Sequence, residues 1–117
     1  MSFEDYLEII REDYVMVQLD LFQSNHEGDL IDYLQEHGFE KSTGIVLNAG
    51  GLTHTSIALR DAIDAIEVPV VEVHISDIYH REPFRSVNYL KEVCVTSVIG
   101  KGIGGYKESI DFLLALK

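Results

Sequence analysis

The chain is short of cysteine, short of cations and free of long apolar runs, and each shortage excludes a class of protein. A single cysteine, Cys94, among 117 residues rules out an internal disulfide. Its setting, Val93-Cys94-Val95, is apolar and fits a buried inert thiol rather than a nucleophile. Nine Lys and Arg against twenty Asp and Glu leave a net charge of -11. A general nucleic-acid or anionic-membrane surface needs clustered cations, so neither is expected as a partner. No apolar stretch approaches the ~20 residues that span a bilayer, and the start, Met1-Ser2-Phe3-Glu4-Asp5, lacks a basic region followed by an apolar one. Cytoplasmic location is the expectation. Nor is there an internal repeat, a low-complexity tract or a linker, so residues 1–117 read as one domain.

What is present is ordinary globular composition, 46% apolar and 25% charged, arranged in alternating patterns. Phe3, Tyr6, Leu7 and Ile10 form one apolar stripe on a helix over Phe3 to Arg11. Met16 to Phe22 reads as a strand, and Asp29 to Glu36 as a helix ended by Gly38. Gly44 to Leu47 reads as a short strand, Asn48 to Gly51 as a Gly-rich turn, and Thr55 to Ile66 as a helix presenting Ile57, Ala58, Ala62, Ile63 and Ala65. Pro69 then opens a strand, a polar segment runs from Ser76 to Tyr89, Val93 to Ile99 is a further strand, and Tyr106 to Leu116 a last helix. Strands alternating with helices predict an α/β fold, a parallel sheet covered on both faces.

Within the strand Val70-Val71-Glu72-Val73-His74-Ile75-Ser76, two polar residues interrupt a buried pattern. Side chains two apart share a strand face, so Glu72 and His74 stand side by side where the strand ends, close in sequence to Arg81 and Arg85. The pair reads equally as a core histidine satisfied by its neighbour or as proton-transfer equipment beside an anion site. Ligands of such sheets bind beyond the carboxyl ends of the strands. The polar clusters at Gln23 to Glu27, Asn48 to Thr55 and His74 to Arg85 all fall at such ends, which favours the functional reading.

Two other signals carry less. Gly100-Lys101-Gly102-Ile103-Gly104-Gly105 matches GxGxxG literally, but the dinucleotide fingerprint needs an acidic residue about 20 positions later, and only 12 residues follow Gly105. A strand-to-helix turn is the expectation there. His26, His37, His54, His74 and His80 show no HExxH spacing, so no metal site is expected, and no GxSxG or P-loop motif is present.

Three motifs combine in order. They are Phe22-Gln23-Ser24-Asn25-His26-Glu27-Gly28-Asp29-Leu30-Ile31-Asp32, then Asn48-Ala49-Gly50-Gly51-Leu52-Thr53-His54-Thr55-Ser56, then Glu72-Val73-His74-Ile75-Ser76 with Arg81-Glu82-Pro83-Phe84-Arg85. Together they closely resemble type II 3-dehydroquinate dehydratase, from about Phe3 to the C-terminus. The resemblance implies a flavodoxin-like sheet, a dodecamer built as a tetramer of trimers, no cofactor, and reversible anti dehydration of 3-dehydroquinate to 3-dehydroshikimate. It implies that His74 protonates the departing C1 hydroxyl and that Glu72 orients and charges the site. Ile75 and Ser76 resemble the segment that binds the substrate carboxylate; Asn48, His54 and Arg85 resemble the residues that grip ring hydroxyls. Gly50 permits close approach at the turn, Arg81 belongs to the pocket wall, and Asp61 resembles a residue reaching a neighbouring subunit's site. Tyr79 and Pro83 depart from the family pattern, at positions without a principal chemical role.

The resemblance also implies a first, central strand, an Asn-containing turn, and a mobile lid carrying an Arg and the Tyr that removes the C2 proton. No segment here matches them, so the expectation is an N-terminally shortened domain whose Met16 to Phe22 strand lacks its neighbour in the family's 2-1-3-4-5 order. Tyr6, Tyr14 and Tyr33 lie in no matching motif. The alternative function is a non-catalytic carboxylate-binding or assembly paralogue without the base-bearing lid.

Overall fold

A computed structural model describes residues 2–41 and 43–116. Helices α1 (Phe3–Asp13) and α2 (Glu27–His37) lead into strand β1 (Ile45–Leu47), helix α3 (Ile57–Ala65), strand β2 (Val70–His74), strand β3 (Thr96–Ile99) and helix α4 (Gly105–Ala115). The strands form one parallel sheet in the order β1-β2-β3, with Ile45 opposite Val70 and Val71 opposite Thr96. This is the parallel α/β arrangement that the alternating pattern predicts, and the flavodoxin-like sheet that the resemblance implies.

β2 is central, and all five of its residues are buried. Its alternation divides the core. Val71 and Val73 pack with Val98 and with Leu113 of α4, while Val70 joins Leu34 of α2 and Leu59, Ala62 and Ile63 of α3 on the other face. Glu72 and His74 share the face of Val70, two and four residues on. Side-chain caps start two of the helices: Ser2 Oγ accepts from the Asp5 N–H in α1 at 3.1 Å, and Ser56 Oγ from that of Leu59 in α3 at 2.8 Å. α1 lies against α4, where Phe3 meets the Tyr106 ring at 5.2 Å, Lys107 Nζ lies 3.0 Å from an Asp13 carboxylate oxygen, and Tyr14 donates to Asp111.

Several expected details are corrected. Met16 to Phe22 is not a strand; it pairs with none of the three strands and leaves Met16 at 94% exposure. Strand propensity without a neighbouring ladder does not make a strand, and the Val17 N–H turns back to the Tyr14 carbonyl at 2.9 Å instead. α3 turns Leu59, Ala62, Ile63 and the following Ile66 inward, and leaves Ile57, Ala58 and Ala65 exposed. The last strand starts at Thr96, because the N–H groups of Val93 and Cys94 both bond the Leu90 carbonyl and turn the chain there.

The glycine run after β3 makes a strand-to-helix turn. Gly100 and Gly102 have φ of 76° and 62°, and their N–H groups donate to the carbonyls of His74 at 3.1 Å and Ile75 at 2.9 Å. These positive φ values suit glycine, and they bind the exit of β2 to the exit of β3.

Candidate active site

The strand ends converge on a cavity of about 280 Å³, lined by Asn48, Gly50, Gly51, His54, His74, Ile75, Ser76, Ile78, Arg81 and Arg85. Eight of the ten residues singled out in the sequence line it. Glu72 lies behind His74 rather than on the wall. Asp61 is exposed on α3 and is not among the lining residues.

β2 delivers His74 to this wall with Glu72 on the same face. His74 Nε2 lies 2.9 Å from Glu72 Oε2, and both side chains are almost fully buried. A carboxylate can only accept, so Nε2 carries the proton, and Nδ1 is the ring nitrogen left for the cavity. Burial alone would raise the Glu72 pKa. Hydrogen bonds from His74, Ser97 and Asn88, with the charge of His74, outweigh that and hold it below its ordinary value of 4.5. Cys94 shows the opposite balance: burial, then the nearby Glu72 charge, push its thiol up to about 12, so it stays a neutral packing group.

The Gly-rich turn after β1 supplies the second wall. Gly50, at φ 57°, donates its N–H to Asn48 Oδ1 at 3.1 Å, while Asn48 Nδ2 donates to the Tyr106 hydroxyl at 2.8 Å. His54 ends the short 3-10 turn Gly50–His54. Its Nδ1 lies 2.7 Å from the Val87 carbonyl, which only accepts, so Nδ1–H donates there and Nε2 is left as an acceptor. That Nε2 is buried and has no hydrogen-bond partner among the described residues. A buried nitrogen left unpaired on a cavity wall is costly unless a ligand donor reaches it.

Two guanidinium groups close the third side. Arg81 Nη1 lies 3.4 Å from Ser76 Oγ, and Arg85 Nε donates to Glu82 at 2.6 Å while its guanidinium sits 5.0 Å from the Phe84 ring centre. Glu82's own backbone N–H and then Arg85 hold its carboxyl below the usual range. Both guanidinium groups lie against the one Glu82 carboxylate, Arg81 at 3.8 Å and Arg85 at 2.6 Å, so the trio keeps one net positive charge, and in a chain of net charge -11 this is a local place for a small anion. The cavity thus joins anion attraction to a histidine backed by a carboxylate, the parts of a general-acid site.

Sequence reasoning missed Asn88, Ser97 and Tyr106. Each touches a singled-out residue from 16 to 58 positions away. Only Ser97 was foreseeable in kind, since its strand pairs with β2 and places it opposite Glu72.

The depressed Glu72 pKa makes stability depend on pH. A carboxyl whose folded value lies below its unfolded one contributes stability above the unfolded value, here about 4.5, and loses it as pH falls through the folded value. Glu72→Gln is therefore expected to cost about 2 kcal/mol at pH 7, the scale of hydrogen bonds to a charged group. Urea unfolding of both proteins from pH 7 to pH 3 should show the gap closing below about pH 4.5; a gap independent of pH would refute a charged Glu72.

A family profile described as Dehydroquinase class II matches residues 1–114. A protein of Halothermothrix orenii named 3-dehydroquinate dehydratase is 44% identical over 104 residues, covering 89% of this chain and 70% of its own length. One of the same name from Bacillus subtilis is 50% identical over 99 residues, covering 85% of this chain and 66% of its own. The chain spans about two thirds of the length of these curated relatives. The crystal structure of a type II dehydroquinase from Butyrivibrio crossotus superposes with a TM-score of 0.91 at 38% identity, covering 97% of this chain and 81% of that one. Sequence, fold and the order of motifs agree, and the chain belongs to the class II dehydroquinase family.

Proposed function

We propose that the cavity binds 3-dehydroquinate and that the protein catalyses its reversible anti dehydration to 3-dehydroshikimate. The observation that carries this reading is the buried His74–Glu72 pair opening on a cavity with two guanidinium groups and an unpaired His54 Nε2. Hydroxide is a poor leaving group. The C2 proton passes to solvent water and its electron pair forms the C1–C2 double bond, while a protonated His74 gives its proton to the departing C1 hydroxyl, which leaves as water, and Glu72 stabilises the imidazolium before transfer. Ser76 and the backbone at Ile75 take the substrate carboxylate, assisted by Arg81, and Asn48, His54 and Arg85 take the ring hydroxyls. Gly50 lets the turn approach the ring, and Asp61 serves the site of a neighbouring subunit in a dodecamer, a tetramer of trimers, working in the cytoplasm without a cofactor. The family resemblance supports these last roles, and exposed Phe84, Val87, Tyr89 and Val95 support association.

A second reading has its own support. Among the described residues, no carboxylate or phenol lines the cavity to remove the C2 proton, which suits a carboxylate-binding or assembly protein that performs no dehydration. Turnover separates them. Incubated with 3-dehydroquinate, the purified chain is expected to show a steady rise in ultraviolet absorbance as the conjugated enone forms. Saturable binding without that rise would establish the non-catalytic reading instead.

A further inference from the structure

We propose that Asn88 and Ser97 are positioning residues for the Glu72–His74 pair, fixing the carboxylate so that one of its oxygens is presented to His74 Nε2. This rests on the proposed role of that pair. Neither residue lines the cavity, so neither touches a ligand there. Asn88 Nδ2 lies 2.9 Å from Glu72 Oε1 and 3.1 Å from Oε2, and the Ser97 hydroxyl donates to Oε1. The carboxylate therefore has donors at both oxygens and no freedom to turn away from the imidazole.

Asn88 is itself over-determined. Its Oδ1 accepts from the N–H groups of Leu90 at 2.9 Å and Lys91 at 3.1 Å, which settles the amide's orientation and leaves Nδ2 for Glu72. The residues on either side are strapped to the 3-10 turn of the cavity wall: His54 Nδ1 donates to the Val87 carbonyl at 2.7 Å, and Tyr89 donates its N–H to the Thr53 carbonyl at 3.0 Å. One strap thus holds His54 and Glu72 together. Ser97 reaches Glu72 by a different route, as its partner in the β2–β3 ladder. Two donors from separate segments converging on one buried carboxylate exceed what packing requires, because an apolar pair would fill the same space without them.

The titratable groups facing Glu72 are His74 on its own strand, Cys94 ahead of β3 and, beyond Asn88, Tyr79, whose hydroxyl lies 3.4 Å from Asn88 Nδ2. Cys94 stays neutral across the acid range. Asn88→Asp keeps the acceptor for Leu90 and Lys91 but turns a donor into a second carboxylate.

The test is the titration of Glu72, followed by carbon-13 NMR in protein labelled at the glutamate side-chain carboxyls and assigned with Glu72→Gln. In Asn88→Asp and in Ser97→Ala the midpoint is expected to rise by about one pH unit or more, the effect of losing a hydrogen bond to a charged group, and Ser97→Thr should stay near the wild type. Dehydration should fall about tenfold in kcat in the two disrupting variants, with KM little changed. An unmoved midpoint in either folded variant overturns the proposal. If circular dichroism shows that Asn88→Asp does not fold, the contrast between Ser97→Ala and Ser97→Thr decides alone. Failure of the catalytic reading is distinct: the wild type would then show no dehydration, or His74→Asn would leave it intact, while the Glu72 midpoints still moved.

Discussion

His74→Leu is expected to lower the unfolding free energy by about 3 kcal/mol and to reduce dehydration about a hundredfold to ten-thousandfold. Breaking a buried pair from one side costs about 3–5 kcal/mol, because it leaves an unpaired charge in the core. The lower end applies here, since Asn88 and Ser97 still donate to Glu72 after His74 is gone. Against a total stability of about 5–15 kcal/mol, the loss is easily read in urea at pH 7. The rate estimate is the range for removing a positioned general acid. Glu72→Leu combined with His74→Leu separates the two effects. With the charge gone as well, part of the stability should return, limited by the stranded donors of Asn88 and Ser97, whereas activity should not. A single variant within 1 kcal/mol of the wild type would show that the pair is not a charged one.

Gly38→Ala is the largest stability effect expected away from the site. Gly38 follows α2 at φ -70°, an ordinary backbone conformation for alanine, so conformational freedom is not what its position demands. Space is. An added Cβ would stand 2.3 Å and 2.5 Å from Ile66 carbons and 2.6 Å from the Leu34 carbonyl oxygen. Two of those three atoms are an Ile66 β carbon and a main-chain oxygen, which cannot swing aside as a side-chain tip would. The Gly38 carbonyl also accepts from the N–H groups of Glu67 and Val68 at 2.9 and 3.0 Å, tying the helix end to the entry of β2. The expected cost is near the top of the about 1–3 kcal/mol typical of overpacking. Gly28→Ala inside α2 is the matched comparison: nothing lies within 4 Å of its Cβ, and it should stabilise by about 0.5–1 kcal/mol. Denaturant midpoints shifting in opposite directions bear this out; shifts of one sign do not.

Much of this molecule was legible in its residues because local periodicity and global burial agree. β2 shows why Glu72 and His74 could be paired in advance: a two-residue repeat puts them on one face whatever surrounds the strand. The cluster at Asn48 to His54 was likewise visible as a turn at a strand end. Met16 to Phe22 was misread because apolar alternation states a preference for a ladder and says nothing of whether a partner strand stands beside it. Ile57 was placed inside for a related reason: an apolar residue near a helix start fits the pattern, yet it is 56% exposed while Leu59, two positions on, is fully buried. Asn88 and Tyr106 were beyond reach, since their roles come from chain segments that meet only after folding.

The register of the sheet has a consequence for how the domain assembles. Ile45 finds its partner at Val70 and Val71 finds its own at Thr96, so each ladder joins residues 25 positions apart. Loop-closure entropy depends on length, and it favours neither pairing over the other. What differs is the intervening chain. The first crossover holds α3, whose nine residues shorten the search, whereas the second is made of 3-10 turns and irregular loop. The β1–α3–β2 unit is therefore expected to form before β3 joins it, with Glu72 already beside His74 but without Ser97 on the neighbouring strand and Asn88 in the second crossover to hold its carboxylate.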